Sequence, residues 1–341
     1  MRLSESSLDA ESIQREAIAE LRRVIGFDRW CWPLGDPQTL VPLSGVAEHD
    51  YGRGVARSLE LEYSGADFAT MGALARRIVP VGSLSAETGS DLARSPRWDE
   101  ILRPVGIGDE AVLACRDAHG CWGWIKAYRD SGDPAFTEDD LALLAAVGPS
   151  IGAALRRGID GVALGADASP RAPGVIVLDR ELRPISWTAG ARTWAEALPA
   201  ASTFAAWGML PAVVYPVAAL ARSGGGASEA HALQRAVDGR WVKIEAAPLD
   251  GEDRTRIAVV LRAAAPAETF ELLCRAYALT PRERQVVAAL IAGDDTRTMT
   301  ERLAISPYTV QDHLKSVFAK VHVRSRREVL ARFSGATETI A

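Results

Sequence analysis

Four polar side chains that can hydrogen-bond to DNA bases recur at helical spacing near the C-terminal end of the chain. Tyr308, Gln311, Asp312 and Lys315 occupy positions i, i+3, i+4 and i+7 of a predicted helix, so they share one face. Amide, carboxylate and ammonium groups supply the donors and acceptors that read base edges in the major groove. The spacing of this helix and of the helix before it predicts a helix-turn-helix. The alternative interpretation is an ordinary solvated helix face.

Capping patterns divide residues 279–341 into four predicted helices. Thr280 and Glu283 form a capping box at the start of the first helix, and Gly293 ends it. Pro307 stands at the first position of the third helix, where proline is well tolerated. The four predicted helices begin at Thr280, Thr296, Ser306 and Ser325. This arrangement is all-α and places the polar face described above on the third helix.

Several segments of this region resemble one known family. The segments LTPRE, ERLAIS and TVQDHL, with RSR after them, resemble the LuxR-type helix-turn-helix, which also occurs in NarL/FixJ response regulators. The resemblance implies that the third helix reads DNA and that the last helix contributes to a homodimer. It also implies that Gln311, Asp312 and Lys315 face base edges. Gln suits adenine, Lys suits guanine, and Asp can accept a hydrogen bond from cytosine.

The resemblance and the helix starts also predict contacts to DNA phosphates. The predicted phosphate contacts are Thr296, Arg297, Thr309, Lys320 and Arg324. Two positions depart from the family pattern. Thr300 stands where alanine is usual at the helix crossing, and Ala304 stands where glycine is usual in the turn. Either residue could shift the angle between the two helices, but neither removes a donor aimed at DNA.

Charge is distributed unevenly along the chain. The 341 residues carry a formal net charge of −5, and the segment from Leu279 onward carries +3. An acidic body with a mildly basic end fits a protein that touches phosphate only at that end.

A second candidate site lies on strands in the first half of the chain. Side chains alternate along a strand, and we predict that one face of the strand from Cys121 carries Trp122, Trp124, Lys126 and Tyr128. Trp30 and Trp32 repeat the pattern on an earlier strand. Our hypothesis is that these six residues line a cavity for a flat or cationic small molecule. The alternatives are core packing and a dimer contact.

The order of predicted elements around these strands is a helix, two strands, an irregular helical middle, two strands and a helix. This layout, with the segments GCWGWIKAYRD and AFTEDDLALLAAVGPSIGAALRR, resembles a GAF domain over about residues 10–157. The resemblance implies an α/β sensor that binds a small molecule or mediates dimer contacts. We therefore predict a GAF-like sensor domain over residues 1–157.

Residues 158–173 are rich in Gly, Ala, Asp and Pro and predict a linker. The segment GVIVLDRELRPISW and the Asp238-Gly239 turn then predict a hairpin, helices and three further strands. This order resembles a PAS domain over residues 174–263. A connecting helix over 264–278 and a helix-turn-helix domain over 279–341 complete the chain. The predicted fold class is multidomain α+β: a GAF-like α/β sensor, a PAS-like antiparallel sheet with helices, and a four-helix all-α reader.

Cofactors and metals are not predicted. The four cysteines form no CxxC motif or zinc-type cluster, and His231 is the lone histidine of the PAS-like region. The family's usual asparagine after the second strand is absent, because Thr188 and Ala189 follow Trp187. No flavin-linking motif occurs, so we expect neither haem nor flavin.

Enzymatic activity is not predicted either, because the chain has no nucleophile elbow, zinc motif or His/Asp/Cys arrangement. The polar, acidic N-terminus is not a secretory signal, and no apolar run could span a membrane, so we expect a cytoplasmic protein. The sequence predicts a transcriptional regulator that binds double-stranded DNA under the control of a small molecule or protein. RNA polymerase would be a partner of an activator. The alternative is a ligand-independent regulator whose sensor-like domains serve only as dimerisation scaffolds.

Overall fold

The computed structural model describes residues 10–48, 54–159, 171–199, 205, 208–224, 230–250 and 255–334. The predicted linker and the last residues of the chain therefore lie largely outside the described residues. Within them the chain is a mixed α+β protein with two antiparallel sheets and a C-terminal helical region. It divides into two compact units, of which the first contains both sheets and the second contains the C-terminal helices. None of the described helices has the length and apolar character of a membrane span.

Five antiparallel strands form the first sheet, in the order β2-β1-β5-β4-β3. The strands are β1 Arg29–Gly35, β2 Pro42–Ala47, β3 Val81–Ser83, β4 Ile107–Asp117 and β5 Gly120–Asp130. The strand predicted from Cys121 is confirmed as β5. Because β4 and β5 form the longest hairpin and lie next to each other inside the sheet, they position most of the candidate sensor residues.

Five helices surround the first sheet. They are α1 Ala10–Ile25, α2 Val55–Ser64, α3 Met71–Arg76, α4 Leu84–Thr88 and α5 Glu138–Gly158. Thr137 caps α5 in a capping box with Asp140. Ser83 caps α4, and the nearby Ser85 hydroxyl donates to Asp109 Oδ2 at 2.6 Å. Helix α5 approaches β4 closely at Gly152, where a Cβ would lie 2.7 Å from the Arg116 carbonyl carbon.

The second sheet also has five antiparallel strands, in the order β7-β6-β10-β9-β8. The strands are β6 Gly174–Leu178, β7 Pro184–Trp187, β8 His231–Arg235, β9 Trp241–Pro248 and β10 Ile257–Ala263. Helices α6 Ala189–Ala197 and α7 Val214–Arg222 cover one face. Their side chains and those of the sheet form an apolar core that includes Trp194, Val259 and Leu261. The predicted hairpin, helix and three later strands are confirmed.

The two sheets meet at their edges inside the first unit. In the turn between β1 and β2, Asp36 accepts the Leu233 N–H of edge strand β8 at 2.9 Å. Gln234 of the same strand accepts the Ser44 N–H of edge strand β2 at 3.1 Å. We call Asp36, Ser44, Leu233 and Gln234 the edge clasp. Because side chains occupy these backbone groups, the clasp joins the two edges without a continuous backbone ladder.

Apolar contacts accompany the edge clasp. Val41, from the turn before β2, is fully buried and belongs to the core of the second sheet, as does Leu59 of α2. Helix α2 also packs against α7. The two sheet regions are therefore parts of one compact unit and are not joined by the linker alone.

Five helices form the second unit: α8 Pro266–Ala276, α9 Pro281–Ile291, α10 Thr296–Leu303, α11 Pro307–Val321 and α12 Arg326–Ser334. Helices α9 to α12 coincide with the four helices predicted for residues 279–341, and α8 lies within the segment predicted as a connecting helix. Phe333 of α12 packs against Phe270 and Tyr277 with ring centroids 5.8 and 6.0 Å apart. Helix α8 is therefore an integral part of the second unit.

Candidate functional site

Helix α11 is amphipathic in the sense needed for a DNA-reading helix. Ser306 caps it by accepting the Thr309 N–H at 3.1 Å, and its inner face is apolar. The buried residues of that face are Val310, Leu314, Val317 and Val321. The opposite face carries the exposed side chains of Tyr308, Gln311, Asp312 and Lys315. The packing therefore presents the four predicted side chains together, on about two turns of helix.

The polar groups on this face are available for a partner. Lys315 Nζ lies 3.8 Å from Asp312 Oδ1, and their side chains are 75% and 49% exposed. An exposed pair at this distance is weak, so base contacts could replace it at low cost. The ring of Tyr308 is also exposed, at 74%, which is unusual for a large apolar side chain.

The phosphate contacts predicted at the start of α10 need correction. Asp295 caps this helix and accepts the Thr298 N–H at 2.7 Å, so a carboxylate already occupies the positive end of the helix. The Thr296 hydroxyl accepts a hydrogen bond from Arg326 at 2.8 Å. Arg297 remains 86% exposed beside Glu301. A phosphate contact here would therefore depend on the Arg297 guanidinium and not on free helix N–H groups.

Of the other predicted phosphate contacts, Arg324 is exposed, and the Thr309 hydroxyl lies 2.9 Å from that of Ser306. Lys320 is different. Its ammonium group donates to Glu283 Oε2 at 2.7 Å and to the Ala278 carbonyl at 3.2 Å. Its charge is therefore already paired inside the second unit, and the phosphate contact of Lys320 stays a prediction.

The six candidate ligand residues do not share one face of the first sheet. In the antiparallel register Cys31 pairs with Lys126, and paired residues point to the same side. Trp30 and Trp32 therefore lie on the face opposite Lys126, and both are buried. Trp124 and Tyr128 each lie two residues from Lys126 along β5, so all three side chains share one face. The prediction of one aromatic face is wrong because the register between β1 and β5 separates the two strands' aromatic residues.

Trp122 is displaced by a local irregularity. Ala114 pairs with Trp124 and Arg116 pairs with Cys121, so β5 has one more residue than β4 between the two pairs. Such a bulge reverses the alternation. Trp122 Nε1 accordingly donates to Asp117 at 3.0 Å, and Asp117 also accepts from Arg156 of α5 at 2.7 Å. Trp122 thus lies on the α5 side, away from Trp124.

The face of Trp124 holds a buried group of charged side chains, which we call the Arg97 cluster. Its members are Glu62, Asp67, Arg97, Glu110 and Lys126, with side chains at most 8% exposed. Arg97 Nη2 lies 2.8 Å from Glu110 Oε2, and Lys126 Nζ lies 2.9 Å from Glu110 Oε1. Asp67 and Glu62 are 3.4 and 3.9 Å from the same guanidinium. Three carboxylates therefore surround two cations.

The pKa values of two of these carboxyl groups move in opposite directions. Burial raises the pKa of Glu62, and Arg97 offsets this shift only in part. Burial alone would raise the pKa of Glu110 too, but Arg97 and Lys126 outweigh it and lower that pKa below the usual value. Protonation of Glu62 would leave two carboxylates facing two cations. The cluster can therefore balance its charge internally by taking up one proton.

One comparison with known proteins matches the C-terminal helices to a family. Residues 277–333 match the family described as "Bacterial regulatory proteins, luxR family". These residues are a LuxR-family helix-turn-helix domain. No curated protein matches the chain.

Two solved structures align with nearly the whole chain at low similarity. One is the crystal structure of Escherichia coli SdiA, with a TM-score of 0.33 at 11% identity, covering 97% of this chain and 92% of that one. The other is SdiA in complex with octanoyl-rac-glycerol, with a TM-score of 0.34 at 11% identity, covering 97% and 89%. Scores at this level do not establish a shared fold for the two sheets.

The LuxR-family domain accommodates both departures from the family pattern. Ala304 adopts the left-handed conformation at φ 51° and ψ 49° that ends α10. This conformation costs a residue with a Cβ roughly 1 kcal/mol or more, which explains why glycine suits the position. The Thr300 hydroxyl donates to the Arg297 carbonyl at 2.6 Å and so satisfies its polar group within its own helix.

Sequence reasoning missed two sets of residues that the structure brings together. Glu283 was expected only as a helix cap, yet it also binds Lys320 and accepts from the Ser316 hydroxyl at 2.6 Å. The acidic members of the Arg97 cluster were not expected at all. Glu110 did carry a signal, because it directly precedes the apolar strand segment AVLAC. Within the described residues, no group of three or more His, Cys, Asp or Glu is arranged to hold a metal ion.

Proposed function

We propose that this protein is a sequence-specific DNA-binding transcriptional regulator that recognises its operator through α11. The observation that carries this proposal is the exposed face of α11 within a LuxR-family domain. Gln311 has the amide that suits adenine, Lys315 the donors that suit guanine, and Asp312 an acceptor for cytosine. Thr296, Arg297, Tyr308, Thr309 and Arg324 surround this face as candidates for backbone contacts.

The test begins with selection of a bound sequence from random double-stranded DNA. Affinities are then measured for the wild type and for Gln311→Ala and Lys315→Ala. Each variant should lose about 5- to 150-fold in affinity for the selected sequence, because a good base contact contributes about 1–3 kcal/mol. The losses should be largest at one base position for each residue.

Two variants elsewhere serve as matched controls. Gln285→Ala changes an exposed glutamine on α9, and Lys243→Ala changes a lysine on β9 of the second sheet. Both should bind the selected DNA as the wild type does. The proposal fails if the Gln311 and Lys315 variants keep wild-type affinity and sequence preference.

We also propose that a small molecule or protein signal acts on the first unit. The candidate ligand site in this proposal is the face of Trp124, Lys126 and Tyr128, beside the Arg97 cluster. Its excess of carboxylates favours a cationic molecule, and the aromatic rings favour a flat one. Trp30, Trp32 and Trp122 would act from the other face, as support for the sheet.

Mass spectrometry of the purified protein under native conditions tests ligand control. A bound molecule should be lost in a Trp124→Leu variant, and its removal should change DNA affinity. The alternative is that the first unit is only a dimerisation scaffold. DNA affinity that is unchanged by any co-purifying or added molecule supports that alternative.

We propose that the protein binds DNA as a homodimer in the cytoplasm. Two recognition helices then require half-sites about one helical turn apart. If the protein is an activator, RNA polymerase is its partner at the promoter. Analytical ultracentrifugation gives the oligomeric state, and operators with half-sites shifted by five base pairs should bind weakly if both recognition helices engage together.

A further inference from the structure

The ammonium group of Lys320 joins three elements of the second unit. Lys320 lies in the last turn of α11, on the opposite end of the helix from the exposed base-reading side chains. It donates to Glu283 of α9 at 2.7 Å and to the Ala278 carbonyl at 3.2 Å. Ala278 is in the short junction between α8 and α9. One side chain of the recognition helix therefore contacts the junction that follows the connecting helix.

The junction that Lys320 contacts is tightly built. Ala278 is in the left-handed conformation, at φ 52°, and its N–H donates to the Arg275 carbonyl at 3.0 Å. The next residue, Leu279, is buried and its N–H donates to the Cys274 carbonyl at 2.9 Å. These bonds end α8 in a fixed geometry. A change in the direction of α8 would therefore move the Ala278 carbonyl that Lys320 holds.

A second set of contacts fixes α8 to α9. Arg284 of α9 donates to the Leu279 carbonyl at 3.1 Å and forms an ion pair with Glu271 of α8, also at 3.1 Å. The junction is thus held on both sides, by Arg284 from α9 and by Lys320 from α11.

Glu283 holds α11 at two points one turn apart. Its carboxylate accepts from Lys320 and from the Ser316 hydroxyl, and it also accepts the Thr280 N–H at 2.7 Å. Burial alone would raise the pKa of Glu283, but Lys320, Ser316 and Thr280 together lower it below the usual value. The carboxylate is therefore ionised at neutral pH and keeps Lys320 beside the junction.

We propose that Lys320 is a positioning residue that couples the connecting helix α8 to the recognition helix α11. This proposal rests on the proposed DNA-binding function and adds a route by which the rest of the chain can control it. The chain enters the second unit through α8, and Lys320 links the end of that helix to the helix that reads DNA. A signal that reorients α8 then alters the seating of α11 in the groove without any change at the base-reading residues.

The decisive measurement is the dependence of DNA affinity on salt. A lysine that contacts phosphate releases counterions, so its loss weakens all sequences equally and lowers the slope of log K against log salt by about 1. A positioning residue has a different signature. We expect Lys320→Met to keep the wild-type slope and the wild-type affinity for random DNA. Its affinity for the selected operator should fall about 3- to 30-fold, in line with coupling energies measured along such contacts.

Two further variants separate coupling from folding. Lys320→Met leaves Glu283 buried without its cation, whereas Glu283→Gln/Lys320→Met removes both charges. The double variant should recover stability but not operator preference, because the contact to the Ala278 carbonyl is still missing. Lys320→Arg should restore part of the preference. Recovery of full operator preference in the double variant would overturn the proposal, as would a lowered salt slope in Lys320→Met.

A measurement without DNA keeps this proposal distinct from the proposed function. Amide exchange at Ala278 and Leu279 should quicken in Lys320→Met and in the double variant, relative to the wild type and to Lys315→Met. Unchanged exchange in both would overturn the coupling even if the wild type binds DNA specifically. Quickened exchange in a protein that selects no DNA sequence would instead refute the proposed function and leave the contact in place.

Discussion

The two sheets of the first unit have the same number of strands and the same antiparallel pairing, but the side chains packed against them differ in polarity. The first sheet packs over an apolar core that includes Trp124 and Tyr128 and, on the same face, over the Arg97 cluster, in which five charged side chains are buried. The second packs over an apolar core that contains Trp194 and Leu261. Among its described residues, Gln234 of the edge clasp is the one buried polar side chain.

Apolar side chains and buried ionic side chains contribute to the stability of a fold in different ways. An apolar core stabilises the fold in proportion to the apolar area that it removes from water. A substitution in it lowers the stability by an amount that grows with the volume of the cavity it leaves. A buried ionic cluster contributes little net stability, since desolvation offsets its attraction, yet the loss of one member is severe. We infer that the second sheet is mainly a scaffold. The first sheet contains the part of the unit that can respond to a proton or a charged ligand.

The largest effect should come from Arg97→Met. This change leaves Lys126, which pairs with Glu110, as the one cation of the cluster beside three carboxylates. Removal of one member of a buried ion pair costs about 3–5 kcal/mol. Urea unfolding followed by tryptophan fluorescence measures this loss. All nine tryptophans precede residue 242, so the signal reports on the first unit alone.

Arg23→Met is the matched control for that experiment. Arg23 forms an exposed pair with Glu20 on α1, so its replacement should leave the unfolding midpoint unchanged. The loss in Arg97→Met should also shrink as pH falls, because protonation relieves the uncompensated carboxylates. The contrast between the two sheets breaks down if Arg97→Met unfolds at the same urea concentration as the control.

The next effect tests the apolar sheet. Leu261 is fully buried on β10, the central strand, where it pairs with Ile244 of β9. Leu261→Ala should cost about 3 kcal/mol, from lost burial and the cavity left behind. The same unfolding measurement applies, with Val237→Ala as a control because Val237 is 66% exposed. Unlike the loss in Arg97→Met, this loss should be equal at pH 5 and pH 8. A pH-dependent loss would blur the distinction between the two cores.

The sequence was sufficient to predict the strands of the second sheet and four of the five described strands of the first. Strand β3 was not predicted, because three residues are too few to show an alternating pattern. Alternation, the Asp238-Gly239 turn and the helix caps each depend on neighbours in the chain, so they can be recognised without the fold. The face of each aromatic residue could not be predicted in the same way. One extra residue in β5 turns the Trp122 side chain to the other face of the sheet. The face of Trp30 is set by its pairing with Ala127, which is about 100 residues later in the sequence. Neither relation leaves a local pattern.

The reader could be predicted more completely than the sensor site, for a related reason. The exposed position of Gln311 and Lys315 follows from the period of a single helix. The contacts of Lys320 cannot be predicted from that period, because its partners Glu283 and the Ala278 carbonyl lie about forty residues earlier in the sequence. The Arg97 cluster likewise draws on the irregular segment between β2 and β4, where periodicity is absent.

A smaller effect is expected where the two sheets join. Asp36→Ala removes the acceptor of the Leu233 N–H and leaves that group buried, which costs about 1–3 kcal/mol. Hydrogen exchange at Leu233 should quicken, since its acceptor is gone. Asp179→Ala is a matched control, because Asp179 lies in the β6–β7 turn and accepts the Arg183 N–H at 2.8 Å. If Leu233 exchanges at the wild-type rate in Asp36→Ala, the edge clasp is not what joins the sheets.

The smallest effect concerns the protonation of Asp36. Burial raises the pKa of Asp36, and the N–H groups of Leu233, Gln38 and Thr39 oppose this shift only in part. A folded-state pKa above the unfolded value, about 3.9, favours the folded protein at low pH. That contribution is complete below the unfolded pKa and is lost as pH rises through the folded pKa.

Asp36→Asn mimics the protonated carboxyl and cannot titrate. The stability of the wild type relative to this variant should therefore fall as pH rises from below 4 through the raised pKa, and then become constant. Urea unfolding at a series of pH values, followed by tryptophan fluorescence, measures the difference. The change should be smaller than the loss in Asp36→Ala, because Asn keeps one oxygen for the Leu233 N–H. A relative stability that rises with pH would mean that hydrogen bonding outweighs burial at Asp36, so that the clasp favours the ionised carboxylate.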